Sequence, residues 1–195
     1  MPNPRAGRQM RYIPAKIQHR DDGGEPVIAC YFAVFNSPTE LWPGCIEQIA
    51  PGAFSSSLGG DVRALVDHET RLVLGRTTAG TLTLREDESG LYGEIKINPN
   101  DSDAMNLYAR VQRGDVSQCS FGFEIVSEDY IVGSDGQTCT WTIHDLILYE
   151  VSVVTFPAYE ATSAYARDSG DMASLRTARL NRRRQELLER INKLC

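Results

Sequence analysis

The chain has 195 residues, 42% hydrophobic and 24% charged, a composition typical of a globular protein with one main domain and a buried core. It contains no apolar run of membrane-spanning length, and residues 1–11 lack the apolar region of a signal peptide. We therefore expect a soluble, cytosolic protein without a membrane partner. Five scattered cysteines without C-x-x-C spacing predict free thiols, and three dispersed histidines predict no metal site.

The formal net charge of −6 is unevenly distributed. Residues 169–195 hold seven Lys/Arg and three Asp/Glu, a charge of +4, which leaves −10 on residues 1–168. The body should repel nucleic acid, and the tail should attract anionic surfaces. We predict a flexible arm at 1–11, a domain at 12–168 and a basic helical tail at 169–195, either solvated or an interaction helix.

Alternating apolar and polar residues predict strands through the first half of the domain. Tyr12 to His19 and Val27 to Phe35 flank a glycine-containing turn, which predicts a hairpin. Asp61 to His68 alternates clearly and places His68 at a strand end, on the apolar face. Further strands are predicted at 72–75, 81–85 and 91–97, and a short helical turn at 51–60.

The period changes after Asp101, where apolar residues recur at i, i+3, i+4 and i+7. An N-cap at Asp101 or Ser102 and a glycine at Gly114 predict a helix between them. The many strands and this helix predict a mainly β protein of the α+β class.

Asp145 to Phe156 is the most apolar run of the chain and predicts a central strand, after a separate strand at 138–143. Glu150 lies in its middle, where an unpaired buried carboxylate would cost several kcal/mol of desolvation. We therefore expect Glu150 to have a partner, such as Arg63 or backbone amides.

The stretch from Val116 to Val126 alternates like a strand but places a hydroxyl beside a glycine. Cys119, Phe121 and Phe123 share one face, and Ser120 and Gly122 share the other. Gly122 should leave open space beside Ser120 for a substrate backbone. From this stretch alone, an ordinary barrel strand with one small polar residue facing solvent is the favoured interpretation.

Ser120, His68 and Glu150 are the residue types of a nucleophilic catalytic site. A serine becomes a good nucleophile when an imidazole takes its proton and a third group fixes the imidazole tautomer. His144 has the strand parity of Glu150 and stays open as that third group, whereas Asp67 should point away from His68. Cys119 lies in the apolar row, where a thiol is inert, and no G-x-S-x-G elbow of an α/β-hydrolase is present.

Several stretches, in this order, resemble the prohead maturation protease family of tailed bacteriophages, whose fold is similar to that of the herpesvirus capsid assembly protease. The matching stretches are Phe32 to Asn36, Glu47 to Phe54 with Ala-Pro-Gly-Ala-Phe, Val66-Asp67-His68, Leu74 to Thr77, Gly90-Leu91, Ser117 to Phe123 and Glu150 to Ala158. The resemblance covers about residues 12–168. The order and spacing of the stretches, more than any single one, make it specific.

The resemblance implies an antiparallel β-barrel of the herpesvirus-protease type and a serine endopeptidase. By position, Ser120 matches the nucleophile and His68 the general base. Glu150 is the third position that the phage family offers and the one we favour, with His144 in reserve because herpesvirus-type enzymes use a second histidine. Amides near Ser120 or in the Pro157-Ala158 turn are candidates for the oxyanion hole.

The resemblance also implies partners and a location. The expected substrates are the scaffold and the major capsid protein, and the protease itself, cut inside the prohead in the host cytoplasm. A phage or prophage origin follows. No cofactor, metal or specific nucleic acid is expected, and self-association stays open. The alternatives are a catalytically silent capsid assembly protein of the same fold and a β-barrel module that binds peptides.

Overall fold

The computed structural model describes Arg5 and residues 7–14, 17–22 and 25–156 of the chain. The predicted tail at 169–195 and the Pro157-Ala158 turn lie outside these residues. The described strands are β1 (Arg8–Pro14), β2 (Gln18–Asp22), β3 (Glu25–Val34), β4 (Thr39–Trp42), β5 (Cys45–Ile49), β6 (Arg63–Val66), β7 (Glu69–Arg76), β8 (Leu82–Glu86), β9 (Gly90–Lys96), β10 (Gln118–Val132) and β11 (Cys139–Val154). The described helices are α1 (Ser102–Arg113) and a short 3-10 turn, Thr77–Ala79.

The strands form two sheets. The first has seven strands, with the order β1-β10-β11-β5-β4, with β6 attached to β11 and with β7 attached to β6. The second has four strands in the order β2-β3-β9-β8. A single buried apolar cluster contains residues of both sheets and of α1, so the core holds the sheets and the helix together.

The mainly β class with helix is confirmed, but the expected barrel is not: no closed barrel is found among the described strands. The described pairings leave the two sheets as separate hydrogen-bonded ladders. The strands are not all antiparallel either, because β5 and β6 both run parallel to β11. Strand alternation predicts which residues are buried, but it does not tell which strands pair.

The N-terminal strand begins earlier than predicted. The expected first strand, Tyr12 to His19, is divided between β1, which starts at Arg8, and β2. β2 pairs with β3 as the predicted hairpin, whereas β1 pairs with β10 in the other sheet. Residues 8–11 therefore belong to a strand. Their sequence shows no apolar alternation, because the charged side chains of this strand pair with residues that are distant in the sequence.

The central strand was predicted correctly, but it is longer than expected. The predicted strands at 138–143 and 145–156 are one strand, β11, which pairs with β10, β5 and β6. The predicted helical turn at 51–60 consists of turns without a helix. The predicted helix is confirmed: the Asp101 carboxylate accepts from the backbone N–H groups of Asp103 and Ala104, and Gly114 ends α1 at a φ of 85°.

Two of the cysteines are paired, against the expectation of free thiols. Cys45 and Cys139 lie directly opposite each other on β5 and β11 and form a disulfide across 94 residues. Cys30 and Cys119 are buried free thiols. The pairing could not be predicted because it depends on the register of two strands far apart in the chain.

A buried ion cluster attaches the N-terminal segment to the first sheet. Glu47 is 2% exposed and accepts from both Arg11 and Arg5, and the Arg5 guanidinium lies 4.5 Å from the Trp141 ring centroid. Burial alone would raise the pKa of Glu47, but the charges and hydrogen bonds of Arg11 and Arg5 hold that pKa below its ordinary value. The carboxylate is therefore ionised, and it links β5 to β1 through the Arg11 side chain.

Removing the negative charge of Glu47 tests this attachment. Glu47→Gln should lower the free energy of unfolding by about 3–5 kcal/mol, because two buried guanidinium groups lose their shared counter-ion. Asp61→Asn, which removes an exposed partner of Arg76, is the matched control and should have a much smaller effect.

The pH dependence supplies the second half of the test. A lowered folded pKa means that the stabilisation is present above the ordinary glutamate pKa of about 4.3 and is lost as the pH falls through the folded value. Urea unfolding of wild type and Glu47→Gln should therefore converge at acid pH. Equal stabilities at pH 7 would show that the cluster contributes nothing.

Candidate active site

His68 is positioned by a tight turn between β6 and β7. Val66 pairs with Glu69, so Asp67 and His68 are the two loop residues, with φ values of 47° and 61°. Positive φ at both positions is the geometry of a type I′ hairpin. The Asp67 carboxylate accepts from the Thr155 amide at 2.7 Å and from its hydroxyl at 3.0 Å, which fixes the turn against the end of β11. His68 therefore lies on the turn and not in the predicted strand.

The imidazole of His68 contacts the buried carboxylate of Glu150. Glu150 is 1% exposed, and its Oε1 lies 2.7 Å from His68 Nδ1. Its Oε2 accepts from the Ser152 hydroxyl at 2.6 Å, and Arg8 Nη2 is 3.5 Å from Oε1. Glu150 therefore has partners, as expected, but they are His68, Ser152 and Arg8. Arg63 pairs with Asp61 instead.

The contact with Glu150 determines which imidazole nitrogen can accept a proton. A carboxylate oxygen is the natural acceptor for an imidazole N–H, and in the tautomer in which Nδ1–H donates to Glu150 the lone pair is on Nε2. The His68 side chain is 9% exposed, and within the described residues its buried Nε2 has no hydrogen-bond partner. The Tyr12 ring packs edge-on against the imidazole, with centroids 5.3 Å apart. The site thus contains an imidazole that is held in one orientation and whose Nε2 has no hydrogen-bond partner among the described residues.

Ser120 lies on the same face of the sheet as Ser152 and Glu150. In the ladder it is opposite Tyr12 on β1 and Ser152 on β11. The expectation that it is accessible is wrong: Ser120 is 0% exposed, and its hydroxyl donates to the Arg11 carbonyl at 2.8 Å. The sequence pattern of residues 1–11 does not reveal this contact with the backbone of β1.

The space beside Gly122 is also used differently from the prediction. Gly122 lies opposite Glu150 in the ladder, and a Cβ on it would overlap Glu150 Oε1 and lie 3.1 Å from Arg8 Nη2. The glycine therefore makes room for the buried carboxylate and not for a substrate backbone.

The other sequence candidates lie outside this arrangement. His144 Nε2 is 2.9 Å from the exposed Asp129 carboxylate, and among the described residues Glu150, not His144, is the hydrogen-bonded acid partner of His68. Cys119 is 0% exposed in the core, and burial raises the pKa of its thiol well above the ordinary value. A neutral, inaccessible thiol cannot act as a nucleophile.

Three comparisons found known proteins that are similar to this chain. The model of the caudovirus prohead serine protease family matches residues 14–174. The prohead protease of Enterobacteria phage HK97 is 31% identical over 172 residues, which cover 86% of this chain and 72% of that protein. The solved structure of the bacteriophage T4 capsid assembly protease covers 75% of this chain and 98% of its own, with 7% identity and a TM-score of 0.44.

The chain belongs to the caudovirus prohead serine protease family. The resemblance identified from the sequence is confirmed, and the chain is of phage or prophage origin. Family membership supports a serine protease of capsid maturation, and such an enzyme needs a nucleophilic serine and a base. The described residues bring a serine, an oriented histidine and a buried glutamate to one face of β10 and β11.

Sequence reasoning missed three residues that contact the candidate catalytic residues. Ser152 could have been found, since it follows Glu150 by two residues and so shares its face of the strand. Arg8 and Tyr12 could not, because only the pairing of β1 with β10 brings them to the site. Contacts of this kind follow from tertiary structure alone.

The part of the chain that the structure describes contains no group of three His, Cys, Asp or Glu side chains that could hold a metal ion. No helix within the described ranges is long and apolar enough to cross a membrane.

Gly122→Ala should displace the Glu150 carboxylate, because the new methyl group occupies the position of Oε1. We expect trimming of a co-expressed capsid protein to slow at least tenfold while the fold is retained. Gly59→Ala is the matched control, since a Cβ there meets nothing within 4 Å. Unchanged trimming in Gly122→Ala, measured by intact mass of the capsid protein, would contradict the need for this carboxylate position.

Proposed function

We propose that the chain is a serine endopeptidase in which Ser120 is the nucleophile, His68 the general base and Glu150 the residue that orients His68. The observation that carries the proposal is the 2.7 Å contact between His68 Nδ1 and the buried Glu150, which leaves Nε2 as the accepting nitrogen. Family membership adds the reaction class.

The chemistry follows from these roles. Ser120 Oγ attacks the scissile carbonyl carbon while its proton passes to His68 Nε2, and Glu150 stabilises the resulting imidazolium. The imidazolium then protonates the leaving amine, and water, deprotonated by the same nitrogen, hydrolyses the acyl-enzyme. For the first step the Ser120 hydroxyl must turn from the Arg11 carbonyl to Nε2.

The proposed substrates are the scaffold and extensions of the major capsid protein, and the protease itself. This proposal is supported by the HK97 relative, which is named a prohead protease, and by the prohead family to which the chain belongs. The enzyme would act inside the prohead in the host cytoplasm, without a cofactor, a membrane or a specific nucleic acid. Amides near Ser120 or in the Pro157-Ala158 turn remain the candidates for the oxyanion hole.

The second candidate function is a catalytically silent capsid assembly protein of the same fold. Complete burial of Ser120 and its bond to the Arg11 carbonyl favour this alternative, since a serine in that state cannot attack a substrate. Trimming of a co-expressed capsid protein separates the two functions.

The triad proposal is tested by co-expressing the chain with its cognate scaffold and capsid protein and measuring intact masses. Wild type should trim the capsid protein, Ser120→Ala and His68→Ala should abolish trimming, and Glu150→Gln should slow it by about 10²–10⁴-fold because the tautomer of His68 is no longer fixed. The exposed Ser117→Ala is the control for Ser120→Ala.

Three other results of this experiment would contradict parts of the proposal. Trimming by Ser120→Ala would make the nucleophile assignment wrong. Loss of trimming in His144→Ala but not in Glu150→Gln would assign the third position to His144. Absence of trimming by folded wild type in complete proheads would favour the silent assembly protein.

Ser152 offers a further test because its hydroxyl donates to Glu150 Oε2 at 2.6 Å and lies 3.3 Å from His68 Nδ1. Ser152→Ala should lower kcat about tenfold with KM unchanged, since the carboxylate loses a charge-assisted hydrogen bond but no substrate contact. Ser152→Thr, which keeps the hydroxyl, should restore most of kcat. A change in KM alone, or no rescue by threonine, would contradict a positioning role.

A further inference from the structure

The strand β10 is paired along its whole length on one side only. On that side β11 pairs with β10 as far as Val132, whereas on the other side β1 pairs only with residues 118–124. Among the described strands, none pairs with the outer side of residues 126–132. We call residues 126–132 the open edge of β10. At about 3.3 Å per residue, it presents roughly 20 Å of strand backbone.

The open edge carries apolar side chains that face solvent. Four of its seven residues are large and apolar and are between 52% and 63% exposed: Val126, Tyr130, Ile131 and Val132. The segment contains neither lysine nor proline, the residues that commonly protect strand edges from pairing. Exposed β-branched and aromatic side chains on such an edge favour the addition of another strand.

The open edge lies in a strongly acidic part of the chain. Residues 124–145, which contain the edge and the turn to β11, hold five Asp/Glu and no Lys/Arg, a formal charge of −5 with His144 neutral. The Asp129 side chain is 72% exposed, and Glu128 already accepts from the Arg5 guanidinium at 3.0 Å. A positively charged segment is therefore the electrostatic complement of this edge.

The same charge argues against two other occupants. A second copy of the chain would bring the same five carboxylates, and an antiparallel pairing centred on Asp129 would place this carboxylate opposite its own copy. Nucleic acid carries a negative charge at each phosphate and would be repelled. An extended protein segment with lysine or arginine side chains matches both the backbone and the charge of the edge.

From these observations we propose that the open edge of β10 is a docking site for an extended, basic segment of a partner protein, which adds to the sheet as a further strand. Backbone hydrogen bonds would supply affinity. Asp129 and Ile131 lie on one face of the strand, and Tyr130 and Val132 lie on the other. The docked segment would place a basic side chain near Asp129 and apolar side chains near the other three.

The position of the edge gives docking a use in the proposed reaction. Ser120 lies on the same strand, about 20 Å before Val126 along its backbone. A partner docked at the edge would be held beside the candidate active site, which raises the local concentration of its cleavage segment. The inference rests on the proposed function in one respect, since it takes this partner to be the scaffold or the capsid protein.

The first experiment measures binding of a peptide probe to the full chain carrying Ser120→Ala. The probe is a fluorescent seven-residue peptide that alternates lysine and valine, and its binding is measured by fluorescence anisotropy. We expect saturable binding that weakens with added salt and that falls at least tenfold in Asp129→Lys with Ile131→Lys. Glu88→Lys with Val73→Lys makes the same charge change at exposed positions outside the edge and should bind the probe normally.

A second probe separates strand addition from charge attraction alone. The same peptide with every backbone amide N-methylated keeps its side chains and charge but has no backbone N–H donors. It should bind at least tenfold more weakly than the unmethylated peptide. Equal binding of the two peptides, or no saturable binding of the first, would overturn the proposal.

The partner is tested by co-expressing these variants, all with Ser120→Ala, with the cognate scaffold and capsid protein. The number of copies of the chain retained in purified proheads is measured by quantitative mass spectrometry. We expect retention to fall at least tenfold in Asp129→Lys with Ile131→Lys and to be unchanged in Glu88→Lys with Val73→Lys. Sedimentation velocity of the free chain checks for a dimer.

The outcomes separate this inference from the proposed function. Equal retention of both variants would overturn docking at the edge, while trimming by the chain with Ser120 intact would still support the protease. Retention that depends on the edge, together with no trimming by the chain with Ser120 intact, would contradict the protease and support the docking site. A dimer that only the edge variant dissociates would show that a second copy is the occupant and would overturn the basic partner.

Discussion

The arrangement of the candidate active site depends on one buried carboxylate, that of Glu150. Glu150 lies in the central strand of the larger sheet, where burial without partners would cost more than a typical single mutation. His68, Ser152 and Arg8 all lie around it, and Gly122 provides the space that it fills. The need to satisfy this one group therefore links a hairpin turn, two central strands and the N-terminal strand.

The same two strands serve the core and the site through their period of two. On one face of β10, Phe121 and Phe123 enter the apolar cluster. On the other face, Ser120 and Gly122 lie on the side of the buried Glu150 carboxylate. A rigid pair of strands, buried on the core side, fixes the positions of Ser120 and Glu150 with little dependence on loops. His68 comes from a turn, but Asp67 ties that turn to the end of β11.

The N-terminal strand meets two buried groups through one residue. The Arg11 side chain pairs with the buried Glu47, and the Arg11 carbonyl accepts the Ser120 hydroxyl. The contacts that hold β1 in the fold therefore also determine the surroundings of Ser120.

The sequence by itself determined the local features of this protein. The apolar run around Glu150 predicted the central strand, the Asp101 and Gly114 signals predicted α1, and the matching stretches predicted the family, because each depends on neighbouring residues or on their order. Ser120, His68 and Glu150 were likewise visible as residue types.

Only the tertiary structure decided which of these groups meet. The burial of Ser120, the disulfide between Cys45 and Cys139, the two separate sheets and the contacts of β1 all depend on strand pairing between distant segments. A period of two states which face a side chain occupies, but pairing and register come from the packing of the whole chain.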